Sequence, residues 1–313
     1  MSDTQISGAS TVDSGSSNNN KPPEIIYTKL PAGKLLKKRD LPPHKDSIPW
    51  DRVELPVDVM LLTVKECEFL SCVSYLNPGF YKSYHENLGY VYFGKIGEGE
   101  NTMKIAIQSC EMGSDDAIVA VKNAAVVLSP KAVFCVGFCG GLKENLKLGD
   151  VVISSKLRTY SSVKVTESAV EDRNVAVPLN THLSKLLLHA DDGWTPPLKD
   201  EVEVDVITNG VLLSGPEVVD NKDRRAELIR RFPDATAIEM EGQGLFKAAR
   251  DLKMEWVVIK GVSDFADGRK SATNAWRPFA SVMAASVTAH ILSDPNTFKN
   301  LAHYGGKNVL TMH

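Results

Sequence analysis

Trp256-Val257-Val258-Ile259-Lys260-Gly261-Val262-Ser263-Asp264-Phe265-Ala266-Asp267-Gly268 is the stretch on which the reading of this chain turns. Its first four residues form a short apolar run rich in β-branched side chains, the pattern of a strand buried on both faces of a parallel sheet. Open α/β sheets bind ligands at the carboxyl ends of such strands, where this stretch carries Asp264 and Asp267. A partly desolvated carboxyl there can hold and deliver a proton. The same acid would also serve as an ordinary turn or helix cap, so the stretch alone leaves both readings open.

Working outward, strands and helices alternate. Strands are expected at 57–62, 132–136, 150–154, 204–213 and 236–239, and a hairpin at 90–95 and 103–109 around a turn at 97–101. Ser114-Asp115-Asp116 can cap a helix running to about Leu128, where Pro130 stops it. Further helices are expected over 221–231, from about 241 to 252, and, amphipathic, over 275–292. Residues 161–202 have weak periodicity and read as a loop-rich excursion around one short helix, 181–190. The plan is a three-layer αβα sandwich with a central mixed, mostly parallel twisted sheet.

A chain of 313 residues with 43% hydrophobic content can bury one large core. It is expected to form a folded domain over 50–295 between two tails. Residues 1–20 are polar and should be disordered. Residues 21–46 are basic and Pro-rich, with Lys34, Lys37, Lys38 and Arg39 close together, and read as a solvated linker. Residues 296–313 are expected to be a second tail. A net charge of −3 gives no electrostatic case for nucleic acid. The start lacks an apolar signal segment, and no apolar run approaches the roughly 18 residues of a membrane span. Five cysteines, without CxxC spacing or a His cluster, suit reduced thiols in a cytoplasmic protein and give no pattern for zinc.

Three further segments could carry chemistry. Val136-Gly137-Phe138-Cys139-Gly140-Gly141-Leu142 follows a strand, and glycines there let a ligand approach the backbone near Phe138, Cys139 and Gly140. It is not GxGxxG and leads into a strand, so a dinucleotide site fits poorly. In Ile238-Glu239-Met240-Glu241-Gly242 the two carboxylates are i and i+2, so in strand geometry they share one face. A Glu at a helix start also simply suits the helix dipole. In Thr63-Val64-Lys65-Glu66-Cys67-Glu68, Thr63 and Glu66 have capping-box spacing, which would make one acid structural.

Taken together in this order, Gly137-x-x-Gly140-Gly141-Leu142, Leu148-Gly149-Asp150-Val151-Val152-Ile153-Ser154, Ser214-Gly215, Ile238-Glu239-Met240-Glu241 and Val262-Ser263-Asp264-x-Ala266-Asp267 resemble the nucleoside phosphorylase/nucleosidase superfamily. The closest pattern is that of 5′-methylthioadenosine/S-adenosylhomocysteine nucleosidases, and the resemblance covers about 57–292. Trp276-Arg277-Pro278-Phe279-Ala280 is also similar to nucleosidase-like domains attached to some fungal and animal immune receptors. The resemblance implies roles. Asp264 would be the general acid to purine N7, with Ser263 orienting the base. Glu241 would accept hydrogen bonds from the ribose 2′ and 3′ hydroxyls, and Met240 would pack on the sugar beside Glu239. Glu68 would orient an attacking water. Val218 and Val219 would flank the purine, where one residue is usually aromatic. It also implies no cofactor and a homo-oligomer, dimer or larger.

Phosphorylases of this superfamily hold phosphate with arginines and a Ser near the Gly-rich segment. Here those positions read Cys135 and Phe138, so water is the expected nucleophile, although nucleosidases too keep a Ser where Phe138 stands. Lys65 and Arg158 are expected on the sugar side and would suit a purine nucleotide, AMP or ATP, as an alternative to a nucleoside. The competing class is a non-catalytic nucleoside-binding sensor or scaffold, favoured by Phe138 and by the missing aromatic residue.

Overall fold

A computed structural model describes residues 21–99, 102–199, 202–294 and 298–306. The expected disorder of 1–20, part of the 97–101 turn and the end of the C-terminal tail lie outside them. The sheet contains β1 (Val59–Thr63), β2 (Tyr81–His85), β3 (Gly89–Ile96), β4 (Met103–Ser109), β5 (Ala132–Gly141) and β6 (Val151–Thr159). A separate hairpin, β7 (Val163–Val165) and β8 (Val170–Asp172), precedes β9 (Ala176–Pro178), which pairs with β6. β10 (Val206–Ser214), β11 (Ala237–Glu239) and β12 (Glu255–Asp264) complete the sheet. The helices are α1 (Glu66–Ser74), α2 (Ser114–Leu128), α3 (Thr181–Leu187), α4 (Lys222–Arg231), α5 (Gly242–Leu252) and α6 (Trp276–Leu292). α1 packs on α6 and α2 on α5, giving helical layers that flank the sheet. No helix among the described residues is long and apolar enough to cross a membrane.

The strand order is β11-β10-β6-β12-β5-β1-β4-β3-β2. Parallel ladders join β4, β1, β5 and β12, and likewise β6, β10 and β11; β12 meets β6 antiparallel. β5 behaves differently from its expected form. The Gly-rich segment is no turn: the strand continues to Gly141, and Gly140 and Gly141 pair antiparallel with Ile238 and Ala237 of β11. That pairing closes β5, β12, β6, β10 and β11 into a ring. Side chains would obstruct it, since a Cβ on Gly140 would come 3.1 Å from the Asp264 carboxylate and one on Gly141 3.1 Å from both Phe265 and Val262.

α2 begins at Ser114, as its polar start suggests, but the Ser114 hydroxyl donates to the Met240 carbonyl (3.2 Å) instead of capping its own helix. Residues 161–202 carry three short strands as well as the expected helix, because edge pairing to β6 and within the β7–β8 hairpin satisfies backbone groups that periodicity does not reveal.

Residues 21–46 are not a solvated linker. Ile25 bridges Leu198, the Ile26 N–H donates to the Pro197 carbonyl (2.7 Å), and the Leu36 N–H donates to the Ser74 hydroxyl (2.9 Å). Leu30 and Leu36 are buried in the main core. Aliphatic residues spaced among the lysines dock this arm, and burying them offsets the cost of ordering it. At the other end Phe298, placed by the sequence in a tail, is fully buried beside Phe134.

Candidate functional site

The Asp264 carboxyl is set by the end of β12. The β12–β5 ladder slips between Val262 and Asp264, and the chain then turns through Ala266 at φ 55°, a left-handed conformation unusual for a residue with a Cβ. The turn aims the Ala266 N–H at Asp264 Oδ1 (3.0 Å), while the buried Ser263 hydroxyl donates to Oδ2 (2.9 Å). Lys270 Nζ stands 3.7 Å from Oδ1. Burial pushes the Asp264 pKa up; Lys270, the Ala266 N–H and Ser263 oppose this without cancelling it. The result is a carboxyl that binds its proton more tightly than an ordinary aspartic acid.

The opposite side gathers three buried glutamates around one buried lysine. Glu239, at the end of β11, receives the N–H groups of Glu241 (2.9 Å) and Gly242 (2.9 Å) and so caps α5. A Cβ on Gly242 would press to 2.7 Å of that carboxylate. Glu239 therefore has its oxygens engaged by backbone, and Glu241 is left to pair with Lys260 Nζ at 3.1 Å. Glu68 sits in the first turn of α1, with Oε2 accepting from the N–H groups of Val64 and Lys65 (2.8 Å each) and Oε1 from Phe138 N–H (3.0 Å). The expected capping by Thr63 and Glu66 does not occur. Thr63 bonds Ser109 across the sheet (3.0 Å), and Glu66 points outward to Lys38 (2.8 Å). Gly137 is required for this approach, because a Cβ there would overlap the Glu68 carboxylate.

Lys260 balances the cluster. Burial works against its charge, but Cys135 and the carboxylates of Glu241, Glu68 and Glu239 outweigh that and raise its pKa. In the same cluster burial pushes Glu68 and Glu239 up, with Lys260 the main opposing influence. Ligand atoms of Cys135, Glu239 and Glu241 lie within 4.8 Å of one another, a spacing that suits a metal ion. The Lys260 ammonium already supplies a positive charge at Glu241.

One cavity of about 260 Å³ joins the two sides. Asp264, Glu241, Glu239, Met240 and Glu68 all line it, as do Lys65, Phe138, Cys139 and Gly140. Val218, which is exposed, and Val219, which is buried, form part of the wall. Ser263 lies behind Asp264 and touches it without lining the cavity. Arg158 does not belong to the site. It is ion-paired with Asp234 (2.6 Å) and lies over the Phe232 ring, because its place on β6 points it away from the cavity. The cations that do line the cavity, besides Lys65, are Lys270 and Arg277, whose guanidinium stacks 5.6 Å from the centre of the Phe138 ring. Sequence reading missed both, and also Lys260. A signal for Lys260 existed: it is the one charge inside the apolar run 256–263. Lys270 and Arg277 lie in loop and helix-start positions that carry no such signature.

A mixed, mostly parallel sheet with acids gathered at strand ends and helix starts around one cavity defines a ligand-binding α/β enzyme class, and the family follows from comparison. The family model of the phosphorylase superfamily matches residues 67–293, and the chain belongs to that superfamily. It is 29% identical over 224 residues to a death domain-containing ATP nucleosidase from Amphimedon queenslandica, an alignment covering 66% of this chain and 42% of that protein. It is 26% identical over 202 residues to a 5′-methylthioadenosine/S-adenosylhomocysteine nucleosidase from Haemophilus influenzae, covering 64% of this chain and 83% of the relative. Among solved structures, the Neisseria meningitidis 5′-methylthioadenosine/S-adenosylhomocysteine nucleosidase superposes with a TM-score of 0.62 at 20% identity, covering 75% of this chain and 98% of its own. Futalosine hydrolase of Helicobacter pylori superposes with a TM-score of 0.61 at 17% identity, covering 75% and 97%. These structures share the fold.

Proposed function

We propose that the protein is a purine nucleosidase that hydrolyses the N-glycosidic bond of an adenine nucleoside or nucleotide to free base and a ribose derivative. The observation that carries this reading is the placement of Asp264 and Glu241 on one cavity, with Glu68 beside them. Breaking the C1′–N9 bond requires the departing base to be neutralised and the oxocarbenium-like sugar to be stabilised. Asp264, its proton held by burial, donates to N7 as the bond electrons pass to the base. Glu241 clasps the 2′ and 3′ hydroxyls and adds negative charge near the developing cation. A water bonded to Glu68 Oε1, which accepts one backbone N–H where Oε2 accepts two, attacks C1′, and its proton passes to that carboxylate.

Water is favoured over phosphate on electrostatic grounds. A phosphate dianion on the sugar side would face Glu68, Glu239 and Glu241, with Lys260 as the one buried cation among them. Phe138, where phosphorylases keep a hydroxyl, donates only its backbone N–H, and that N–H goes to Glu68. The relatives named for nucleosidase activity agree with this direction.

The test is chromatographic. Adenosine, methylthioadenosine, AMP and ATP are incubated with the protein, with and without phosphate, and free adenine is measured. Phosphate-independent adenine release is expected. Release that requires phosphate would replace water as the nucleophile. No release from any substrate, with ligands bound equally by the parent and by Asp264→Asn, would make the site a binding module.

A further inference from the structure

A second cavity, of about 480 Å³, opens beside the first and shares Lys65, Phe138 and Arg277 with it as a common wall. Its outer side is built by the N-terminal arm, through Leu35, Leu36 and Lys37. We propose that this groove is the 5′ subsite of the nucleosidase and that it takes a 5′-phosphate chain, with the arm's Lys37 closing it beside Lys65 and Arg277. The inference rests on the function proposed above and deepens it to a substrate class.

Geometry gives the direction. With the base at Asp264 and the 2′,3′-diol at Glu241, the remaining point of extension on a nucleoside is C5′. The shared wall of Lys65, Phe138 and Arg277 is where the first cavity passes into the second. Charge gives the class. Lys37, Lys65 and Arg277 border the groove, and among the described residues none of the three is ion-paired to a carboxylate. Arg277 is held by the Phe138 ring, which leaves its N–H fork available. The groove's one acid, Glu66, is already matched by Lys38 at 2.8 Å. Cations brought together on a concave surface without an ion-paired carboxylate suit an anion with several oxygens, and phosphate groups meet that description. The apolar floor of Leu35, Leu36, Leu70 and Pro278 lowers the local dielectric, so each charge–phosphate contact is strengthened.

The arm is fixed well enough for this part. The Leu36 N–H donates to buried Ser74, and the Lys37 N–H is held by Asp40 (2.8 Å) in a short 3-10 turn. Lys37 therefore presents its side chain from an anchored backbone, and a change of side chain leaves that anchor intact.

The experiment uses the full chain, the variant Lys37→Glu, and Lys45→Glu as a charge control on an exposed part of the arm away from the groove. Binding of inorganic triphosphate is measured by calorimetry, and kcat/KM by adenine release from ATP and adenosine. Lys37→Glu should weaken triphosphate binding and lower the ATP-to-adenosine preference by about tenfold or more, from reversal of one close charge; Lys45→Glu should match the parent. Equal triphosphate affinity in parent and Lys37→Glu, or an unchanged ATP-to-adenosine preference, overturns the subsite. If no substrate yields adenine but Lys37→Glu alone still loses triphosphate, the proposed activity fails and the anion site stands.

Discussion

At the base end of the cavity a single buried carboxyl, Asp264, is met by one hydroxyl, one backbone N–H and a lysine 3.7 Å away. At the sugar end three carboxylates share one fully buried lysine, and backbone N–H groups take up much of their remaining capacity. Burial raises the pKa of Asp264 at one end and of Glu68 and Glu239 at the other, but the surroundings differ. In the proposed mechanism the Asp264 end keeps a proton for transfer, whereas the Glu241 end holds negative charge against the buried Lys260. On that proposal the same residue type serves as an acid in one place and an anionic clasp in the other, and the surroundings make the difference.

The most direct way to break this contrast is Asp264→Asn, which should lower kcat by roughly 10²–10⁴-fold with little change in KM. Its stability should move the other way. Because burial raises the Asp264 pKa above its unfolded value, the folded state binds that proton more tightly than the unfolded chain does. Stability from this group is therefore fully present at low pH and is lost as pH rises from the unfolded pKa through the raised folded one. The Asn variant should be at least as stable as the parent at neutral pH, and chemical denaturation across pH should show the loss flattened. A variant less stable at neutral pH would contradict the burial argument.

Lys260→Met tests the sugar end. It removes the cation from among three buried carboxylates and should destabilise the fold by about 3–5 kcal/mol in urea unfolding. Lys260→Arg should recover most of that, and a Met variant as stable as the parent would show that the cluster does not depend on its charge. Gly137→Ala sharpens the comparison at Glu68. The new Cβ displaces the carboxylate from the Phe138 N–H, and a loss of about 1–3 kcal/mol is expected from crowding and the orphaned donor.

The smallest effect is the pH profile of kcat/KM. Activity should rise with pH as Glu68 loses its proton and fall again as Asp264 loses its own, both limbs displaced upward from ordinary carboxylate values. Glu68→Gln should remove the acid limb. A parent profile flat from mildly acidic to mildly alkaline pH would separate these groups from the rate.

Much of the frame was readable because the patterns are local. The runs at 132–136 and 256–259, the helix start at Ser114 and the stop at Pro130 depend on neighbours in sequence, and they fell close to the observed elements. The readings that failed depended on distant partners. Nothing near Arg158 announces Asp234 or Phe232, and nothing near Thr63 announces Ser109. The arm at 21–49 has the composition of a linker, and only the far-off Ser74 and Leu198 turn it into part of the body. The Gly140-Gly141 pair reads as a turn until β11 is known to lie opposite.

By itself the sequence determined the alternation of strands and helices, the superfamily motifs and the identity of Asp264, Glu241 and Glu68 as candidate chemical groups, because strand period, capping chemistry and motif spacing are short-range properties. The tertiary structure alone decided which charges share a cavity: it sent Arg158 to Asp234, drew Lys260 in among the glutamates, brought Lys270 and Arg277 to its wall, and set the arm's Lys37 in the adjoining groove. The physical reason is that electrostatic and solvation energies depend on distance and burial in space, and ring closure through β5 and β11 joins segments far apart in the sequence.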